Sequence, residues 1–207
     1  MKISAAAEIL RPPICFFAAG RLVSAVECNS VSPYNYPMKK ILWSVVAGLC
    51  LPVIAGYVFL IGGGMPVATK GPPLPMERFI AKTALHAAMR GEVQKPSPVS
   101  ADEPNLHAGA KIYTVHCAVC HGLVEGEKTA IANGLFPKPP QLFKPPHGVT
   151  DDPVGETYWK VKNGIRLTGM PGFVDSLSDT ELWQVSELLL NADKLPAGVR
   201  NSLVPKK

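Results

Sequence analysis

The chain has 207 residues, 47% of them hydrophobic and only 18% charged, whereas a soluble domain usually carries about 25% charge, so the apolar excess must be concentrated somewhere. Its 21 prolines and 18 glycines are too few for a low-complexity chain, and 5 cysteines are too sparse for a disulfide scaffold, which excludes wholesale disorder, a collagen-like chain and a stapled mini-protein. The net charge of +5 divides into +3 over residues 1–61 and +2 over the rest, with no basic stripe of the kind a nucleic-acid binder needs, so no nucleic-acid partner is expected.

Residues 1–37 are Ala-rich, with one apolar patch, Ile14–Gly20, too short to span a membrane. They read as a tail or an extension upstream of Met38, and Cys15 and Cys28 within them take no role. Met38-Lys39-Lys40 then leads into Ile41–Ile61, which is free of charge and contains Pro52. A membrane helix needs about 20 such residues and tolerates an internal proline. A cleaved signal peptide is the competing reading, but its apolar region runs to roughly 7–15 residues and ends in a small-residue cleavage site that is absent here. Residues 38–61 are therefore expected to be an uncleaved anchor. Lys39 and Lys40 abut the run, and the next charge after it is Lys70, which puts residues 62–207 on the outer side.

Residues 62–103 read as a linker, Gly62-Gly63-Gly64 followed by Pro66, Pro72, Pro73 and Pro75, flexible and then stiff. Within it, residues 75–90 are expected to be helical, with Pro75 in the first turn and Gly91 at the stop. Met76, Phe79, Ile80, Ala84, Ala87 and Ala88 share a face that should bury against the following domain or a partner subunit. His86 and Met89 lie three apart on this helix; a structural role outweighs a metal site there. Residues 93–103 are read as a second linker.

From Asn105 the spacing of Leu106, Ala110, Tyr113 and Cys117 is helical, and it leads into Cys117-Ala118-Val119-Cys120-His121. This C-x-x-C-H run is the attachment motif of c-type haem: two thiols three apart reach the two vinyl groups on one porphyrin edge, and the adjacent imidazole is placed to coordinate the iron. A redox dithiol would need a βαβ context, and zinc would need two further ligands at a recognised spacing. Gly122–Pro146 reads as a proline-stiffened loop in which Leu135, Phe136, Leu142 and Phe143 offer apolar lining. Asp152-Pro153 reads as the start of a helix running to about Lys162. Ser178-Asp179-Thr180-Glu181 reads as a capping box opening a helix that carries Leu182, Val185, Leu188 and Leu189 on one face.

Three landmarks in order, Cys117–His121, Gly169-Met170-Pro171-Gly172 and the terminal helix Thr180–Ala192 with Trp183, give residues 104–195 a resemblance to the class I (monohaem) c-type cytochrome domain. The resemblance implies an all-α fold wrapped around one haem c, covalent through Cys117 and Cys120, with His121 and Met170 as axial ligands. Pro140-Gln141-Leu142 resembles the family's P-x-L element, whose proline carbonyl accepts the Nδ1–H of the ligating histidine and so fixes its tautomer. Trp159 and Arg166 lie where the family's layout flanks the pocket; Arg166 would pair a propionate. Residues 196–207 read as a C-terminal tail.

The implied function is one-electron transfer at the outer face of a bacterial inner membrane, between donor and acceptor proteins of the respiratory chain, with no catalysis by the chain itself. A haem relay subunit docked permanently in a larger respiratory or dehydrogenase complex is the alternative. A ligand sensor or peroxidase-like enzyme would need a labile sixth position.

Overall fold

The computed structural model describes residues 37–144 and 148–205. His147, which the sequence offers as the rival to Met170 for the sixth position on the iron, and nearly all of the 1–37 extension lie outside the described residues. The chain divides into two compact units, Met1–Tyr57 and Val58–Lys207. Among the described residues every regular element is helical.

Helix α1, Met38–Ile61, is by length and composition able to cross a membrane, and none of its side chains is buried. Helix α2 spans Glu77–Met89 rather than residues 75–90, because Met76 takes a left-handed conformation (φ 63°) and the helix starts only after it. The face expected to bury does not do so against the following domain: Met76, Phe79, Ile80, Ala84, Ala87 and Ala88 are all exposed. Met89, on the other side, is 1% exposed, while His86 points outward, so the two do not form a site.

The chain after α2 is not a free linker. Gly155 has no side chain because the backbone there is already in contact: a Cβ would press on the Glu92 carbonyl and meet those of Val93 and Lys95 at 2.8 and 3.0 Å. Gly155 belongs to α6, Val154–Asn163. The Lys95 ammonium also lies 5.7 Å from the ring centre of Tyr158, on the same helix. Residues 92–95 are thus clamped onto α6.

Helix α3, Glu103–Ile112, is capped by Asp102, whose carboxylate accepts the Asn105 N–H. It continues through a π-helical turn, Tyr113–Cys117, into the short α4, Ala118–His121. Helix α5, Ala130–Gly134, opens on Thr129, whose hydroxyl accepts the Ala132 N–H, and interrupts what the prolines suggested was continuous loop. Helix α7, Asp179–Leu190, begins with the complete Ser178/Glu181 capping box, a device worth about 1 kcal/mol.

Helices α3 and α7 cross in the core, and α6 packs on α7. Leu106, Ala110 and Tyr113 meet Leu182, Val185, Leu188 and Leu189 in one buried cluster. The crossing is close because Gly109 sits at it: a Cβ there would collide with the Gln184 carbonyl oxygen of α7 and reach the Leu188 Cβ at 3.1 Å. The Tyr158 ring stacks on Trp183 at 3.8 Å and 9°. The C-terminal stretch is no tail. Helix α8, Ala197–Ser202, and the residue after it place Val199 and Leu203 in the core at 0% exposure. The Val124 N–H donates to the Leu203 carbonyl at 3.2 Å.

Three carboxylates at helix starts are held below their usual range by hydrogen bonds. Asp102 accepts the Ser100 hydroxyl, Asp179 the Tyr158 hydroxyl and Glu181 the Ser178 hydroxyl. A depressed carboxylate contributes stability that is present above its unfolded value and lost as pH falls through its folded one. Melting temperature, followed by circular dichroism, is therefore expected to be flat through neutral pH and to drop below about pH 4. A melting temperature unchanged from neutral pH down to about pH 2 would contradict these bonds.

Candidate functional site

The π-helical turn ends on Cys117, the first residue of the C-x-x-C-H run, a place where such irregularities mark function. Its extra residue lets α3 pack as a core helix while Cys117, Cys120 and His121 turn toward a single cavity. Tyr113, fully buried, donates its hydroxyl proton to the Gly122 carbonyl at 2.8 Å. That bond holds the chain where it leaves α4 just after His121.

The cavity and its open mouth enclose ≈ 700 Å³. Cys117, Cys120 and His121 form part of its wall, and Met170 lines it too, with Leu135, Pro140, Val161, Ile165 and Phe173 among the apolar remainder. The His121 Nδ1 lies 2.9 Å from the Pro140 carbonyl. A carbonyl only accepts, so this nitrogen carries the proton and Nε2 keeps its lone pair. Burial holds His121 below the ordinary histidine value, against the opposing pull of the Pro140 carbonyl, so the ring is neutral at physiological pH. Burial pushes the Cys117 thiol up to about 12, with the charge of Cys120 adding to it. A redox dithiol needs the reverse, a depressed thiol. Among the described residues no three His, Cys, Asp or Glu side chains gather as a metal cage, which leaves a zinc site without its ligand set. A haem iron takes four of its ligands from the porphyrin and asks only two of the protein, which suits an imidazole and a thioether in an apolar cavity flanked by two thiols.

Met170 is fixed by the backbone around it. Its carbonyl accepts the Ile165 N–H at 3.1 Å and its N–H donates to the Thr168 hydroxyl at 3.1 Å, while that hydroxyl donates to the Ile165 carbonyl at 2.6 Å. The loop is then laid on the end of α6. Gly164 (φ 68°) ends that helix where a Cβ would meet the Pro171 carbonyl carbon at 2.6 Å and the Met170 oxygen at 2.8 Å. The Phe173 N–H donates to the carbonyls of Val161 and Lys162, both at 3.1 Å.

Other residues singled out from the sequence fall elsewhere. Trp159 and Arg166 are not among the residues lining the cavity; Trp159 is half-buried on α6 and Arg166 is exposed. Of the four residues offered as lining, Leu135 lines it, whereas Phe143 turns edge-on to Tyr113 at 5.0 Å and Leu142 joins the core. Sequence reasoning missed Lys138, a cation among the lining residues. His116, on the wrong side of the motif to be the second axial ligand, also lines the cavity and meets Phe173 edge-on at 5.7 Å.

Residues 104–189 match the family model described as cytochrome C oxidase, cbb3-type, subunit III. Two curated relatives are quinohemoprotein alcohol dehydrogenases of Pseudomonas putida: ADH-IIG, 28% identical over 104 residues, and ADH IIB, 27% identical over 112 residues. These matches take in 50% and 53% of this chain but only 13% and 14% of the relatives' own length. Among solved structures, a chain of the Kuenenia stuttgartiensis reducing HAO-like protein complex superposes with a TM-score of 0.38 at 24% identity, covering 46% of each chain. The stretch that carries the C-x-x-C-H turn into the cavity wall, residues 104–189, thus matches a c-type cytochrome domain, with which the all-helical fold and a role in electron transfer are consistent.

Proposed function

We propose that this protein is a membrane-tethered monohaem cytochrome that passes single electrons between redox proteins of a bacterial respiratory chain, with its haem domain on the periplasmic side. The carrying observation is the cavity that unites Cys117, Cys120, His121 and Met170, with the His121 ring oriented by the Pro140 carbonyl. In this reading Cys117 and Cys120 hold the haem as thioethers, and His121 and Met170 are its axial ligands. The haem, when bound, supplies a one-electron site. The chain presents a neutral imidazole with a free Nε2, holds the thioether on a hydrogen-bonded loop, and walls the site with apolar side chains that keep water out. A site with both axial positions filled leaves none for substrate, which makes transfer rather than catalysis the task. The anchor reading is supported by α1, and the orientation by Lys39 and Lys40 at its start.

The test is a reduced-minus-oxidised spectrum of membranes together with haem staining of a denaturing gel. Haem should migrate with the chain after boiling, and replacing Cys117 and Cys120 by Ser should abolish the stain. A colourless chain ends the reading.

A second reading, a relay docked permanently in an oxidoreductase, draws on one observation. In both quinohemoprotein relatives the matched region is a small part of a much longer protein. Detergent extraction followed by sizing separates the two: co-purifying subunits favour the relay, and a monomer in its micelle favours the tethered carrier.

A further inference from the structure

We propose that Leu167 is the anchor by which an acidic redox protein docks on the Met170 side of the haem domain; this rests on the electron-transfer reading and names the surface that serves it. The turn Ile165–Thr168 is closed by the Thr168 N–H on the Ile165 carbonyl at 3.2 Å. Leu167 is its third residue, with φ 61°, while Arg166 before it is not left-handed. That is the pattern of a type II turn, whose third position favours glycine or asparagine because a Cβ is crowded there. The leucine side chain gains nothing from the fold in return. It is 95% exposed, the most exposed large apolar side chain among the described residues. Backbone strain and contact with water both disfavour leucine at this corner, and strain of this kind gathers at functional sites.

The corner belongs to the wall of the haem site. Ile165, Thr168, Gly169 and Met170 line the cavity, whereas Arg166 and Leu167 do not line it and are exposed. The turn is held by the Thr168 hydroxyl, which donates to the Ile165 carbonyl and accepts the Met170 N–H. Leu167 is thus a fixed knob on the outside of the segment that carries Met170. Charge says what kind of surface fits it. Arg166 stands beside Leu167 and makes no ion pair among the described residues. Lys138, likewise exposed and unpaired, lies on a loop that touches this one: a Cβ on Gly169 would meet the Leu135 side chain at 3.0 and 3.3 Å. Neither stretch, 135–140 or 164–172, contains an acid. A protein surface with an apolar socket and an acidic rim complements a rigid leucine beside unpaired cations. A bilayer is bound by a broad apolar face rather than by one fixed side chain. In each encounter one electron crosses, from a reduced donor to ferric haem or from ferrous haem to an oxidised acceptor.

The test uses membranes of the source cells carrying the full-length, haem-loaded chain. Reduction of its haem by NADH or succinate and its reoxidation by oxygen are followed at the haem absorption bands. Ascorbate serves as a small reductant that needs no docking. Leu167→Gly, once purified, should melt about 3 °C above the parent because the turn is relieved. In membranes it should keep its rate with ascorbate and lose about tenfold or more in reduction, reoxidation or both, as removal of an anchor side chain does. Leu167→Asn, which the turn also tolerates, should behave alike. Arg166→Gln/Lys138→Gln should slow the same step at low salt and flatten its salt dependence. Unchanged reduction and reoxidation in Leu167→Gly overturn the proposal and leave the electron-transfer reading standing. A loss that ascorbate shares also overturns it, since the effect then lies in the Met170 loop itself. So does a lower melting temperature, which would mean that Leu167 packs on its own chain. Adducts of a photoactivated diazirine lipid on the tryptic peptide 167–194 assign the corner to the bilayer and overturn it too. A parent haem that neither substrate reduces and oxygen does not reoxidise refutes the electron-transfer reading first, and the proposal with it.

Discussion

Met170→Ala is expected to leave the haem covalently held while changing almost everything measured at the iron. In the proposed reading the haem is held through Cys117 and Cys120 independently of Met170, so the haem-stained band should persist. The weak near-infrared-edge band of sulfur bound to ferric iron should vanish, and the reduced protein should bind carbon monoxide. A thioether favours the ferrous state, so its loss should lower the reduction potential by a sizeable part of the roughly 0.8 V that axial ligands span. The fold should tolerate the change. Met170 is only partly buried against the core, and its loop is held by backbone bonds to Ile165 and by the Thr168 hydroxyl. Redox titration and a carbon monoxide difference spectrum decide the matter. An unchanged spectrum would remove Met170 as ligand and bring His147 forward.

Gly109→Ala should be strongly destabilising, although it adds only one methyl group. Alanine favours a helix over glycine by about 1 kcal/mol, so propensity alone predicts stabilisation. The new methyl, however, would press on the Gln184 carbonyl oxygen, which is backbone and cannot rotate away. Helices α3 and α7 would have to separate. Overpacking of this kind costs about 1–3 kcal/mol and sometimes more. A net loss of about 2 kcal/mol lowers the melting temperature of a domain this size by about 10 °C. Gly134→Ala is the control, since nothing lies within 4 Å of its Cβ position, and it should melt within a degree or two of the parent, on the order expected for an open surface site. Thermal unfolding followed at 222 nm compares them; equal melting temperatures would mean that α3 and α7 do not cross as closely as described.

What the sequence made legible was local. The Ser178–Glu181 box announces α7 because both partners of the cap lie within one turn. The C-x-x-C-H run carries its chemistry in five consecutive residues, and the apolar run of α1 needs no neighbour to be recognised. Met170 and Pro140 came through resemblance, since no spacing rule brings residues 121, 140 and 170 to one cavity. What stayed hidden depends on partners remote in sequence. Gly155 looks like an ordinary helix residue until the carbonyls of residues 92–95 are laid against it. Helix α2 shows an apolar face on paper, yet the side that buries is the one carrying Met89. Helix α8 is too short to reveal a period, and Val199 and Leu203 become core only by closing on α3 and Val124. Trp159 and Arg166 came from a family layout alone, and neither is among the residues that line the cavity.

The closing role of the C-terminus imposes an order of events on maturation. Val124, three residues beyond His121, is tied to Leu203, and Val199 and Leu203 complete the core. During synthesis the C-x-x-C-H stretch therefore emerges well before the residues that seal the domain around it. While the last helix is still to come, Cys117 has no finished interior to be buried in, and under the proposed reading that interval is when the two thiols are most open to haem.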